Sequence, residues 1–413
     1  MLSWVASMAQ RSVSYGWVVV AASAAIICVG IGALFSLGVF LVPIERSMGW
    51  SRGAISTVAL LNWIAMGVGS FAWGALSDRI GGRGVAMAGG FLLGLGLVLA
   101  SQAQELWQFY VTFGVLVGFA VGAFYAPLTS TATKWFTARR GLAVALVSSG
   151  IGVGILLISP LVRALTSAWD WRIAMLVLGD IAWLVIIPTA LLIRDDPPVA
   201  TTAAVGAPEP EYSRTQVLRA PQFWAIALTH FACCAAHSGP IFHMVTHATD
   251  QGVPAMAAAA ALGVSGLSSV AGRIGGGLIA DRLGVKRTLI AGLVLQAVII
   301  AAYLLAREAW SFYALAMVFG TAYGGVMPLY ALVTRDYFGE KVMGTAYGAV
   351  FLVSSLGMGL GSLAGGLIYD RLGTYAWLYL GAALVAFMAV VLAFTFRRPA
   401  GLGARLHAHA AAQ

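Results

Sequence analysis

SGLSSVAGRIGGGLIADRLGVKR, from Ser265 to Arg287, reads as one apolar helix running into a charged turn. Arg273 sits within it, with no acidic residue inside a helical turn on either side. A charged side chain near a bilayer centre costs about 2.5–3.5 kcal/mol on insertion scales, so such residues face a cavity and serve a function. Arg273 precedes Asp281 by eight residues. That is about 12 Å of helix, close to the midplane of a hydrocarbon core about 30 Å thick. An arginine at that depth does not snorkel fully to water. Two readings follow: a structural arginine paired to an acid or to carbonyls of another helix, or a fixed positive charge awaiting an anion.

The rest of the chain supplies a membrane for that helix. Of 413 residues, 60% are hydrophobic and 9% charged, with mean hydropathy +0.90. That composition excludes an ordinary soluble domain. The net charge of +9 does not point to nucleic acid, because the lysines and arginines lie in short loops between apolar runs. Cys28, Cys233 and Cys234 all lie inside apolar runs, and two are adjacent, so no disulfide framework is implied. The first apolar run is too long for a signal peptide and reads as a retained span.

Hydropathy gives twelve candidate spans, at 16–42, 54–77, 84–102, 107–133, 141–163, 171–193, 222–248, 255–280, 287–306, 310–334, 343–368 and 375–396. The fold class expected is an all-α integral membrane protein of two six-helix halves. The expected divisions are an N-terminal bundle at 1–193, a linker at 194–221, a C-terminal bundle at 222–400 and a tail at 401–413. The linker is rich in Pro, Ala and charge and reads as flexible. With the N-terminus inside, inner loops and tails hold 17 cations and outer loops 6, with Arg273 the remaining one of 24. The positive-inside rule then places both termini in the cytoplasm of a cell (inner) membrane protein.

The halves repeat. GALSDRIGGR from Gly74 returns as GLIADRLGVKR from Gly277, and Pro127-Leu128, Trp135-Phe136 and Val147-Ser148-Ser149 return at nearly the same offset, as Pro328-Leu329, Tyr337-Phe338 and Val353-Ser354-Ser355. Parallel repeats of this kind pack about a pseudo-two-fold axis along the membrane normal, with a substrate site at their interface. The pattern G-x-x-x-D-R-x-G occurs at Gly74–Gly81, at Gly277–Gly284 and a third time at Gly366–Gly373. Its first glycine permits close packing of helix ends, and its Asp-Arg pair makes charged contacts at a helix terminus.

With these motifs the chain resembles the major facilitator superfamily, over essentially all of it outside linker and tail. The resemblance implies gating roles for Asp78, Arg79, Asp281 and Arg282. Two further stretches, YGWVVV at Tyr15–Val20 and KWFTARRGLAVALVSSGIGVG at Lys134–Gly154, are similar to the monocarboxylate and oxalate–formate transporter group. That group carries an arginine in its eighth span that holds the substrate carboxylate, which implies this role for Arg273. The chain departs from the animal members in having Ser269 where they carry an aspartate, and Leu34, Phe35 and Ser36 where they carry a first-span lysine. Oxalate-type members use a second cation in the eleventh span; here that stretch, Tyr347–Gly361, has none. One buried positive charge suits one carboxylate, whereas a dicarboxylate would leave a second charge unpaired.

Around Arg273 the candidate substrate ligands are Tyr125, Tyr323, His243 and Ser269, with Leu34, Met327 and Phe351 as apolar walls. Tyrosine offers a wall and a hydroxyl, histidine a ligand or a proton carrier. Each has a packing alternative. His243 and His247 lie four apart on one face, but further metal ligands are lacking, so no metal and no cofactor is expected. Asp180 is the one acid deep in a span, readable as a proton relay or an interhelical hydrogen bond, and Asn62 reads as polar glue between helices. The glycine runs at Gly150–Gly154 and Gly357–Gly361 are expected to be sliding surfaces. No P-loop is present and no catalytic constellation is evident, so an enzyme is not expected. The expected function is secondary transport of a small monocarboxylate of the lactate or pyruvate class by alternating access, proton-coupled, in a monomer whose partners are the anion, the proton and the bilayer. The rivals are an oxalate–formate type anion exchanger and a non-transporting organic-acid sensor.

Overall fold

The computed structural model describes residues 2–136, 140–195, 213–339 and 342–397. Every regular element among them is helical. Twelve helices are long and apolar enough to cross a bilayer: α1 Tyr15–Met48, α2 Arg52–Gly74, α3 Arg79–Ser101, α4 Leu106–Thr133, α5 Leu142–Ala168, α6 Trp171–Ala190, α7 Pro221–Asp250, α8 Ala255–Leu283, α9 Val285–Leu305, α10 Ala309–Phe338, α11 Ala346–Leu372 and α12 Ala376–Phe394. The number expected from hydropathy is reproduced, and the bounds differ mainly where polar ends continue a helix beyond its apolar window.

Local chemistry sets those ends. Ser51 caps α2 by accepting from Ala54 N at 3.1 Å, and Asp170 caps α6 by accepting from Ile173 N at 2.8 Å. Pro221 opens α7, where its missing N–H leaves no bond unmade. The α1 helix is interrupted at Ser36, whose Oγ donates to Ala33 O at 2.6 Å. The last glycine of all three motif copies has positive φ, +76° at Gly81, +87° at Gly284 and +64° at Gly373. That is why the charged turn ends in glycine each time.

Of the expected linker, residues 196–212 lie outside the described residues, as does the 401–413 tail. The linker's final part is not extended chain. Arg214–Arg219 forms a short helix with a Ser213–Gln216 capping box, held by Val217, which is buried among α7, α10 and α11 residues.

Close helix contacts follow the small residues, as packing in a bilayer demands. Within the N-terminal half, Gly150 and Gly154 of α5 lie against the carbonyls of Ala24 and Cys28 of α1. Within the C-terminal half, Gly357 and Gly361 of α11 lie against Phe231 and Ala235 of α7, and Gly272 and Gly276 of α8 against Thr321 and Gly325 of α10. The two halves meet along α5–α8 and α2–α11, with α1 touching α7 at Gly38 and Phe242.

The membrane faces are distinguished by charge. The face bearing the Asp78-Arg79 and Asp281-Arg282 turns is called the basic face, the opposite one the far face. The halves are joined on the far side: Gly53 meets Asp370, Leu60 meets Gly359, and Gly263 meets Leu156. Towards the basic face the same helices part. Gly74 and Gly277, the first glycines of the two motif copies there, have nothing near them, whereas the third copy's Gly366 is packed on Arg52 and Ser56. The close packing expected at all three glycines is therefore present at one, because only the far face is shut.

Candidate functional site

Arg273 lies on α8 ten residues before Leu283, roughly 15 Å of helix from the basic face. It is 8% exposed. No acidic side chain within the described residues pairs with it, and its Nε is buried without a hydrogen-bond partner. Its charge acts on the phenol of Tyr125, from α4 of the other half, and on that of Tyr347, from α11. The two phenols also act on each other. Both tyrosines are part-exposed, as are Phe351 and Met327. The arrangement is a buried guanidinium within electrostatic reach of two phenols, one from each half. It offers N–H and O–H donors, and no acidic side chain among the described residues pairs with the guanidinium.

Tyr125 was legible because Pro127 marks its helix. Tyr347 was missed. It stands where α11 begins, and the sequence gives no sign that α11 starts beneath Arg273. The structure also separates residues that the sequence grouped. Ser269 is buried between α8 and α5 beside Gly152, and its Oγ donates to Gly266 O at 2.7 Å. Tyr323 stacks on His237 with ring centroids 5.5 Å apart, its hydroxyl buried and without a partner. Leu34 lines a small separate cavity between the halves, with Asn62, Trp63, Ser238, Phe242 and Met358. Its room for roughly one water molecule makes it too small for an organic acid. Asn62 is the polar glue expected, its Nδ2 donating to Phe113 O of α4 at 2.8 Å.

His243 is not at this depth. It lies seven residues from the far end of α7, and both ring nitrogens are engaged there. Nε2 donates to Ser362 O at 2.9 Å, and Nδ1 accepts from the Tyr375 hydroxyl at 3.1 Å. Tyr375 in turn accepts from Arg52 Nη1 at 3.1 Å. Arg52 pairs with Asp250 at 2.8 Å and Glu45 at 3.0 Å, and lies 3.8 Å above the Tyr369 ring. The Asp370 carboxylate accepts from the first backbone N–H groups of α2, Arg52 at 3.1 Å and Gly53 at 2.7 Å. Burial pushes the Tyr375 phenol up to about 12 against the opposing pull of the Arg52 charge, so it remains a neutral donor. This cluster ties α1 and α2 to α7, α11 and α12, and it shuts the far face. The third motif copy belongs to it through Asp370.

The residues of the two motif copies on the basic face are differently placed. Arg79, Asp281 and Arg282 are exposed, and the Asp78 side chain lies outside the described residues. Asp180 forms no hydrogen bond or ion pair with the described residues and is exposed on α6; the interhelical bond read from sequence is absent because the residue faces away from its neighbours.

The sequence profile of the Major Facilitator Superfamily matches residues 20–362 and, overlapping, 276–411. The chain belongs to this superfamily. It is 29% identical to monocarboxylate transporter 13 of Bos taurus over 92% of this chain and 89% of that protein. It is 31% identical to monocarboxylate transporter 11 of Mus musculus, covering 88% and 83%. The oxalate:formate antiporter of Oxalobacter formigenes is 23% identical over 91% and 90%. Among solved structures, a bacterial homologue of the human lysosomal transporter Spinster, in an inward-facing and unoccupied conformation, superimposes with a TM-score of 0.73 over 92% of this chain and 96% of that one, at 16% identity. That likeness concerns the fold. The chain is a multi-pass membrane protein of a transporter superfamily, with monocarboxylate transporters among its relatives.

Proposed function

We propose that the chain is a secondary transporter of a small monocarboxylate of the lactate or pyruvate class, working by alternating access with proton symport. The observation that carries this reading is Arg273: a buried cation without an acidic partner among the described residues, within electrostatic reach of phenols from opposite halves. A carboxylate neutralises it and accepts hydrogen bonds from Tyr125 and Tyr347 at once, which favours closure of the halves around the anion. The Arg⁺–carboxylate pair moved with one proton returns the cycle to its starting charge. The basic face is the cytoplasmic face of a cell membrane by the positive-inside rule, and the side on which the helices part is then the inner one. Asp78, Arg79, Asp281 and Arg282 would close that face when the Arg52 cluster opens. The working unit is a monomer, since each chain holds its own site.

A second reading, organic anion exchange, is favoured by the likeness to the oxalate:formate antiporter. The lack of a cation in the eleventh-span stretch Tyr347–Gly361 argues for a single carboxylate under either reading. Uptake of radiolabelled L-lactate into proteoliposomes, with and without an inward proton gradient, separates them. Gradient-driven uptake in the wild type, lost in Arg273→Ala, is expected. Exchange of preloaded anion without response to the gradient would establish the antiporter. Undiminished transport by Arg273→Ala would remove the site from Arg273.

A further inference from the structure

We propose that His237 is the proton carrier of the symport cycle: its Nε2 takes up one proton as a carboxylate binds at Arg273, and gives it up on the other side of the membrane. This assignment rests on the symport reading above. His237 lies on α7, sixteen residues after Pro221 and thirteen before Asp250, and is 2% exposed. Its Nδ1 lies 2.8 Å from Cys233 O. A carbonyl only accepts, so Nδ1 carries the hydrogen and Nε2 is left as the base. Gln296 of α9 donates to the same carbonyl at 3.3 Å, which holds that acceptor in place. Nε2 bonds to no described residue. The Tyr323 ring of α10 is stacked on the imidazole, a surface that suits a cation, and the buried Tyr323 hydroxyl also lacks a partner.

The stacked pair stands level with Arg273. Helix α10 meets α8 where Gly324 lies on Ser269 and where Gly272 lies on Thr321; Tyr323 falls between these contacts, and Arg273 follows Gly272. No carboxylate competes for the role at this depth. The acids of the described helices lie at or near helix ends, except Asp180, which is exposed on α6. Around His237 stand His230 and Cys233 of its own helix, Tyr323 and Tyr330 of α10, the neutral Gln296 of α9 and Arg273 of α8. The titratable groups of α11 and α12 lie nearer their ends, at Tyr347, Tyr369, Asp370, Arg371, Tyr375 and Tyr379. His230 is within electrostatic reach of His237, so a second proton is opposed and one is carried. Loaded with proton and anion, the site bears the single positive charge of the empty carrier. Each ion then tightens the binding of the other by the same factor.

The test compares wild type with His237→Asn in proteoliposomes. The asparagine amide stands in for Nδ1–H and keeps a donor for Cys233 O, but supplies no base. Two fluxes of radiolabelled L-lactate are measured: uptake driven by an inward proton gradient, and exchange against preloaded lactate without one. The ratio of driven uptake to exchange should fall at least about tenfold in the variant, a size usual for coupling between linked sites. Asparagine would rescue a merely structural histidine, so an unchanged ratio overturns the proposal. In a second measurement, lactate is added to wild-type protein in weakly buffered detergent solution at about pH 5 to 8, where histidine changes its charge. Proton uptake is expected, and its absence overturns the proposal whether or not the variant folds. Wild type that exchanges lactate without responding to the gradient overturns the symport reading itself. Gradient-driven wild type with an equally driven His237→Asn overturns only the carrier.

Discussion

Arg273 illustrates a residue kept at a cost to the fold. Its burial without a counter-ion lowers stability by up to about 2.5–3.5 kcal/mol on insertion scales, and no described contact offsets that. Arg273→Met is therefore expected to abolish lactate uptake while raising the melting temperature; a lower melting temperature would show that the arginine is structural. Arg273→Lys keeps the charge but loses the planar fork that meets a carboxylate with two N–H groups, and its KM should rise strongly. Tyr125→Phe and Tyr347→Phe each remove one hydroxyl. A hydrogen bond to a charged group is worth about 1.5–3 kcal/mol, so each should raise the KM for lactate roughly 10- to 100-fold, measured by concentration-dependent uptake. An unchanged KM in Tyr347→Phe would mean that its hydroxyl does not meet the anion. Arg273 was legible in the sequence because an unpaired cation in an apolar helix is an anomaly in itself. Tyr347 was not, because a tyrosine near a helix end is unremarkable until the fold sets it beside Arg273.

At the scale of elements, the glycine runs show what pattern reading achieves and where it stops. Gly150–Gly154 and Gly357–Gly361 are related by the internal repeat, and the sequence marks both as places of close helix approach. The structure divides the labour within each run. The outer glycines hold a half together, Gly150 and Gly154 on α1 and Gly357 and Gly361 on α7. The middle ones, Gly152 on Gly266 and Gly359 on Leu60, make the boundary between halves. A methyl group at 150 would lie 2.3 Å from Ala24 O, and one at 152 would lie 2.2 Å from Gly266 O. The clashes are alike and the consequences differ. Gly150→Ala strains the N-terminal half in every state and should lower the melting temperature by the equivalent of about 1–3 kcal/mol. Gly152→Ala strains only the state closed on the far side. It should leave stability nearly unchanged and increase the labelling rate of an engineered cysteine on the far side of α8. If both variants lower the melting temperature equally with no change in labelling, Gly152 is not a moving contact.

For the whole molecule, the question is what holds one face shut while the other stands open. The basic face carries two of the three motif copies that the sequence singled out, and there they are apart. The far face is held by Glu45, Arg52, Asp250, Asp370 and Tyr375, none of which the sequence brought together. Arg52 and Asp370 are 318 residues apart, and each alone reads as an ordinary loop charge. Only the third motif copy hinted at the arrangement, by placing an Asp-Arg turn on the side where the rule did not call for one. Arg52 is the centre of the cluster, with 7% side-chain exposure, while Glu45 and Asp250 keep 30% and 27% and regain water easily once it opens. The cluster is therefore a latch that can be released. Each hydrogen bond from Arg52 to a carboxylate contributes about 1.5–3 kcal/mol, so losing one shifts the balance between the two faces roughly 10- to 150-fold. Arg52→Gln should accordingly populate a far-side-open state, and Asp370→Ala should do so by a separate route, through loss of the cap on α2. Spin labels on the α1–α2 and α7–α8 connections should then report a longer distance across the far face in both variants, with lactate uptake slowed. A distance distribution identical to wild type in both would mean that the apolar contacts of α2–α11 and α5–α8 hold the face shut alone, and that the charged cluster only decorates it.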